Sequence, residues 1–161
     1  MNSGTTTVLA TAGSADDFLE ARSLFEEYAA QLGVDLCFQN FSAELERLRE
    51  IYGPPSGRLI LARQDGHLLG CVGVRPLDAD PGVCEMKRLY VRDAARGLGV
   101  GRLLAQASIA AARELGFTRM VLDTLGRMTA ARALYADLGF QDTDAYCANP
   151  NEDVTYLELP L

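Results

Sequence analysis

The chain of 161 residues has no tryptophan, a single histidine (His67) and only four cysteines. Cys37, Cys71, Cys84 and Cys147 are widely spaced and form no CxxC pair. Without a second histidine they offer no clustered ligand set, which argues against a zinc site or any other resident metal. Cys71 and Cys84 fall in apolar β-like runs, where buried thiols are common. The opening "MNSGTTTVLAT" lacks the basic start and long apolar stretch of a secretion signal. No apolar run is long enough to span a bilayer. Repeats, low-complexity tracts and linkers are also missing, so one domain over 1–161 is expected. The net charge of −7 argues against a general nucleic-acid binder. These absences lead to an expectation of a reduced, cytoplasmic protein with no membrane or nucleic-acid partner, and they leave a homodimer open.

The residues present alternate between two periods. "TTTVLAT" is β-prone, and "SADDFLEARSLFEEYAAQLG" opens with a Ser14 cap, carries Phe18, Leu19, Phe25 and Ala29 at helical spacing, and stops at Gly33. Ser42 can cap a second helix, "AELERLREIY", which "GPPSG" breaks. "RLILARQ" and "HLLGCVGVRPL" flank Asp65-Gly66 and read as a hairpin, and "VCEMKRLYV" follows a further turn, giving an antiparallel meander. "GRLLAQASIAAARELG" is a helix with Leu104, Ser108, Ala111 and Leu115 on one face. "RMVLDTL" is a strand, "TAARALYADLGF" a helix, and the C-terminal segment two strands around an Asn-Pro-Asn loop. The order β-α-α-β-β-β-α-β-α-β-β describes a mixed α/β fold with about seven strands and about four helices.

The chemistry concentrates in "RDAARGLGVGR", residues 92–102, between a strand and a helix. A helix N-terminus presents unpaired N–H groups and the positive end of its dipole. Gly97, Gly99 and Gly101 remove the side chains that would keep a phosphate from those donors, and Arg96 and Arg102 add charge. From Lys87 to Arg102 the sequence holds five basic residues and one acid, a local excess of +4 in an acidic chain, which suggests an anionic ligand there. A Walker loop requires Gly-Lys-Ser/Thr, and Gly-Arg-Leu stands instead. A dinucleotide turn is a closer rival because Asp123 lies about 20 residues on, but its third glycine is missing in both registers.

The pattern Arg96-Gly97-Leu98-Gly99-Val100-Gly101 matches R/Q-x-x-G-x-G/A. With "KRLYV" before it and "ALYADLGF" after it, the chain resembles the GCN5-related N-acetyltransferase (GNAT) superfamily, and "DLCFQNF", "YGPPSG", "EMKRLYV", "LDTL" and "Y-x-x-NP" together resemble an uncharacterised bacterial, small-molecule-type branch of it. The resemblance implies a mostly antiparallel central sheet whose fourth and fifth strands splay apart. It also implies acetyl-CoA as co-substrate, its pyrophosphate held at 96–102 and its pantetheine paired along Leu89 and Val91. The reaction implied is direct acetyl transfer to a primary amine of a small molecule or peptide. Tyr135 is then the general acid, since a phenol of pKa ~10 matches a departing thiolate. Glu85 is the candidate base, with a structural ion pair to Lys87 or Arg75 as the alternative. The family's substrate regions correspond here to Phe38, Gln39, Asn40 and Phe41, and to Tyr146, Asn149 and Asn151, with Glu152 and Asp153 as attractors of a cationic amine. His67 follows a turn and reads as solvated. Met128 stands where many members carry a cofactor-contacting asparagine. A non-catalytic acyl-CoA-binding or regulatory module is the alternative function.

Overall fold

In the computed structural model, residues 4–33 and 40–161 are described. β1 (Val8–Thr11) leads to α1 (Ala15–Leu32). Ser14 Oγ accepts from the Asp17 amide at 3.1 Å, and Asp17 Oδ2 accepts from the Ser14 amide at 3.1 Å, so two amides that the helix leaves unpaired are satisfied reciprocally. The helix buries Phe18, Ala21, Leu24 and Phe25. Leu19, expected on this face, is instead exposed, because the inward stripe runs through Phe18, Ala21, Leu24 and Phe25 and passes it by. Gly33 ends the helix in a left-handed conformation at φ 69°.

The single helix expected after Ser42 is two short ones, α2 (Phe41–Glu46) and α3 (Leu48–Tyr52). They part at Arg47, whose amide bonds the Glu44 carbonyl three residues back at 3.0 Å rather than continuing the α-helical ladder. Five α-helices are thus described rather than about four.

β2 (Arg58–Gln64) and β3 (His67–Leu77) form the expected hairpin. Asp65 and Gly66 both take positive φ, 52° and 78°, which is the two-residue turn that matches strand twist. β4 (Asp80–Val91) completes the meander. A short 3-10 turn at Asp93–Ala95 leads to α4 (Val100–Glu114), a crossover that lays β5 (Arg119–Leu125) parallel to β4. α5 (Thr129–Asp137), β6 (Gln141–Asp142) and β7 (Val154–Pro160) finish the chain. The seven strands run β1-β2-β3-β4-β5-β7-β6, antiparallel throughout except for β4 with β5.

Two apolar cores sandwich the sheet. α4 and α5 cover one face, around Val72, Met86, Leu104, Met120, Leu122 and Tyr135. α1, α2 and α3 cover the other, around Phe25, Tyr52, Leu61 and Tyr90. Among the described residues no helix is long and apolar enough to cross a membrane, and no cluster of His, Cys, Asp or Glu is placed to hold a metal ion.

Candidate active site

Two irregularities in β4 create the site. β4 and β5 pair only at Val83–Glu85 with Arg119–Val121, and beyond Glu85 the strands separate. The second irregularity is a bulge: Cys71 pairs with Tyr90 and Gly73 with Lys87, so Val72 opposes two residues, Arg88 and Leu89. Arg88 takes φ 59° there. An extra residue resets the in-out alternation of a strand. Met86 and Leu89 both reach the α4/α5 core, while Lys87 and Arg88 both turn towards the opposite face.

Arg88 is buried and donates from Nε and Nη2 to the buried Glu44 carboxylate, each at 3.0 Å. Its guanidinium also lies over the rings of Phe41 and Tyr28, 5.1 and 5.9 Å from the centroids. Although burial opposes its charge, the Glu44 carboxylate holds Arg88 firmly protonated.

The splay opens into two adjoining cavities. The larger, of about 880 Å³, is lined by Leu89, Tyr90, Val91, Arg96, Gly97, Gly99, Val100 and Gly101, and across the gap by Arg127 to Ala131 and Leu134. The smaller, of about 50 Å³, lies between Met86–Leu89 of β4 and Leu122–Leu125 of β5 and includes Tyr135, Asn149 and Asn151. Tyr28, Leu32, Leu89 and Met128 border both.

The glycine loop forms the wall expected of it. Gly97 and Gly99 sit at φ 81° and 80°, with no atom within 4 Å of where a Cβ would stand. Gly99 caps α4 without a side chain, and the first helical bond runs from the Leu103 amide to the Gly99 carbonyl at 3.1 Å. The amides before Leu103 therefore lack a carbonyl four residues earlier and are available to an anion. These features fit a pyrophosphate.

The charge island is a different matter. Lys87 pairs with Glu85, Arg88 with Glu44, Arg92 with Glu27, Arg96 with Asp93 and Arg102 with Asp137. Three of these charges are thus met by acids that the fold brings in from elsewhere, Glu44, Glu27 and Asp137, while Glu85 is shared between Lys87 and Arg75. Arg102 and Leu98, expected in the cradle, do not line the groove: Arg102 turns to Asp137 at 2.9 Å, and Leu98 is exposed to solvent. Arg96 does line it, held by Gln31 Oε1 at 2.8 Å and by the exposed Asp93. Arg127, absent from the sequence reading, lines it too, and donates to the Leu32 carbonyl at the end of α1.

Tyr135 is the buried residue of α5, whereas Ala131, Leu134 and Leu138 are only partly buried. It sits at the centre of the helix's inward face. Burial pushes its phenol well above the usual value. Met128 precedes α5 as a cap without a side-chain bond to the helix, and its sulfur accepts from Thr124 Oγ1 at 3.9 Å.

Glu85 is almost fully buried. Arg75 donates to Oε1 from Nε at 3.1 Å, Tyr146 Oη donates to Oε2 at 2.7 Å, and Lys87 Nζ stands 3.8 Å from Oε2. Both ion pairs offered as the alternative to a catalytic role are therefore formed, and Glu85 borders neither cavity. Asn149 Nδ2 donates to Asp123 Oδ2 at 3.1 Å, and Asn149 Oδ1 accepts from Asn151 N and Nδ2. Asp153 closes the turn before α5, accepting from the Arg127 amide at 3.0 Å, so its carboxylate is engaged by backbone; Glu152 is exposed. Asn40 caps α2 in a left-handed conformation, His67 is exposed, and Phe38 and Gln39 lie outside the described residues.

A seven-stranded sheet that splays beside a glycine-capped helix is the architecture that the GNAT resemblance implies. The chain belongs to the acetyltransferase (GNAT) family, whose sequence profile matches residues 21–140. An uncharacterised N-acetyltransferase of Schizosaccharomyces pombe is 45% identical over 147 residues, 91% of this chain and 88% of its own. A Streptococcus agalactiae acetyltransferase structure has a TM-score of 0.76 at 19% identity, covering 96% of this chain and 98% of its own. A Salmonella typhimurium protein solved with its cofactor acetyl-CoA has a TM-score of 0.71 at 21% identity, covering 97% and 94%. The protein is an acetyl-CoA-dependent acetyltransferase.

Proposed function

We propose that this enzyme transfers acetyl directly from acetyl-CoA to a primary amine of a small molecule or peptide, with Tyr135 as the general acid. The observation that carries the reading is the junction of the two cavities at Leu89 and Met128, which joins the glycine-lined groove to a small polar chamber containing Tyr135. Bound acetyl-CoA supplies an activated thioester. The α4 amides and Arg96 hold its anionic end, and the strand edge at Leu89 and Val91 orients the extended arm. A backbone N–H on that edge accommodates the negative oxygen that develops when the amine attacks. Burial disfavours the phenolate, so Tyr135 is protonated at rest and gives its proton to the sulfur in concert with the return of a proton from the attacking nitrogen, which spares the buried site a free phenolate.

Isothermal titration with acetyl-CoA tests the groove, and the absence of binding by folded protein at high micromolar concentration would overturn it. A thiol-release screen over amino acids, polyamines, aminoglycosides and peptides identifies the acceptor. Tyr135→Phe is expected to lower kcat roughly 100-fold while leaving acetyl-CoA affinity unchanged. Equal turnover by the variant would remove Tyr135 from the mechanism.

A further inference from the structure

Building on that reading, we infer that Asp123, rather than Glu85, is the carboxylate that meets the acceptor amine, binding its ammonium form and taking the proton that must leave before attack. The two carboxylates differ in placement. Asp123 lies on β5 two residues beyond Val121, the last residue paired with β4, and so stands at the mouth of the splay. It borders the small chamber that also contains Tyr135 and the Leu89 strand edge, and it is partly exposed. Glu85 lies where the strands are still paired, nearly sealed from solvent beneath Arg75, Lys87 and Tyr146.

Strand alternation adds a second argument. Leu122 belongs to the same core as Tyr135, so Asp123, the next residue, points to the opposite face. The splay opens the sheet between those faces. An acid on one side and a carboxylate on the other can then approach a single reacting carbon without competing for the same volume. The chamber, at about 50 Å³, admits the reacting ends of two substrates rather than a whole acceptor.

Asn149 fixes the orientation of this carboxylate. Its Oδ1 is taken by two donors from Asn151, so its Nδ2 is turned to Asp123 Oδ2. Asn149 is thereby a positioning residue on the β6–β7 connection. Among the described residues, the charged and titratable groups that act on Asp123 come from several elements: Tyr28 of α1, Lys87 of β4, Tyr135 of α5, Tyr146 and Cys147 of the connection, and Tyr156 of β7.

The proton and bond balance is complete with these groups. Asp123 takes one proton from the ammonium and passes it to solvent. The neutral nitrogen attacks, the C–N bond forms, the C–S bond breaks, and Tyr135 protonates the sulfur. The second proton lost by nitrogen restores Tyr135. The net change is one amide, one thiol and one proton released.

The test uses the full chain and the amine from the thiol-release screen that gives the fastest turnover. Asp123→Asn is expected to lower kcat/KM for that amine roughly 100-fold, with acetyl-CoA affinity unchanged. Asp123→Glu, which keeps the carboxylate, is expected to recover part of the loss. Glu85→Gln is expected to lower kcat/KM less than Asp123→Asn does. Unchanged kcat/KM in Asp123→Asn, or a larger loss in Glu85→Gln, would overturn the assignment. Carbodiimide-driven amidation of the wild-type protein with methylamine gives an independent readout should a variant fail to fold. Faster labelling of Asp123 than of Glu85, with saturating acceptor protecting Asp123, supports the assignment, and the reverse order overturns it. Failure of the wild type to bind acetyl-CoA would count against the groove and leave the labelling result to judge Asp123.

Discussion

The donor end and the acceptor end of this site are built from different materials. The donor groove is mostly backbone: two glycines at positive φ, the unpaired amides of α4 and one open edge of β4. The proposed acceptor end is side chains drawn from far apart, with Tyr28 from α1, Lys87 and Arg88 from β4, Asp123 from β5, Tyr135 from α5 and Asn149 from the last connection. A backbone site can be written in a few adjacent residues and holds a constant ligand. A side-chain site can be changed one residue at a time without disturbing the groove, which suits the half of the reaction that sets substrate choice.

The largest expected effect strikes the acceptor end. Arg88→Ala leaves the Glu44 carboxylate buried without its bidentate partner and is expected to cost about 3–5 kcal/mol, measured by urea denaturation. A cost below about 1 kcal/mol would mean that the pair does not hold α2 to the sheet. The donor end should respond to shape instead. Gly99→Val forces a β-branched residue into the left-handed region, at about 1–2 kcal/mol, and puts a side chain into the groove. Acetyl-CoA should bind about 10-fold more weakly, read by titration, while the amine KM stays put. An unchanged donor affinity would detach the glycine loop from the ligand. The smallest effect lies at the boundary. Met128→Asn should give α5 the side-chain cap that it lacks, for about 0.5–1 kcal/mol, visible as a higher melting temperature.

The same contrast governs what was readable from sequence. The hairpin at Asp65-Gly66, the α4 crossover, the strand Arg119–Leu125 and the phosphate-loop glycines are all signalled by neighbouring residues. Leu19 and the break at Arg47 were not, because burial and helix continuity there depend on what packs from elsewhere. The charge island misled for a related reason. Five basic residues close in sequence imply a positive patch only if their partners are also local, and Glu27, Glu44 and Asp137 arrive through tertiary structure. In the sequence Asp123 reads only as a would-be dinucleotide residue. Its signal was its place at the end of a strand, and that acquires meaning only once β4 and β5 are seen to part. The bulge at Arg88 left one trace: Glu85, Met86 and Lys87 alternate polar and apolar, and Arg88 breaks that alternation with a second polar residue.

The three-residue seam between β4 and β5 also bears on where another chain could add a strand. The outer rims of the sheet are short, four residues in β1 and two in β6, and offer little for another chain to extend. Among the described residues, the stretch of β4 beyond Glu85 is left without a β5 partner and faces a gap bounded by β5 and α5. A foreign β-strand arriving with neighbours of its own is too broad to enter, whereas a slender, flexible arm fits. The fold thus keeps its adhesive edge where aggregation cannot reach it and a cofactor can.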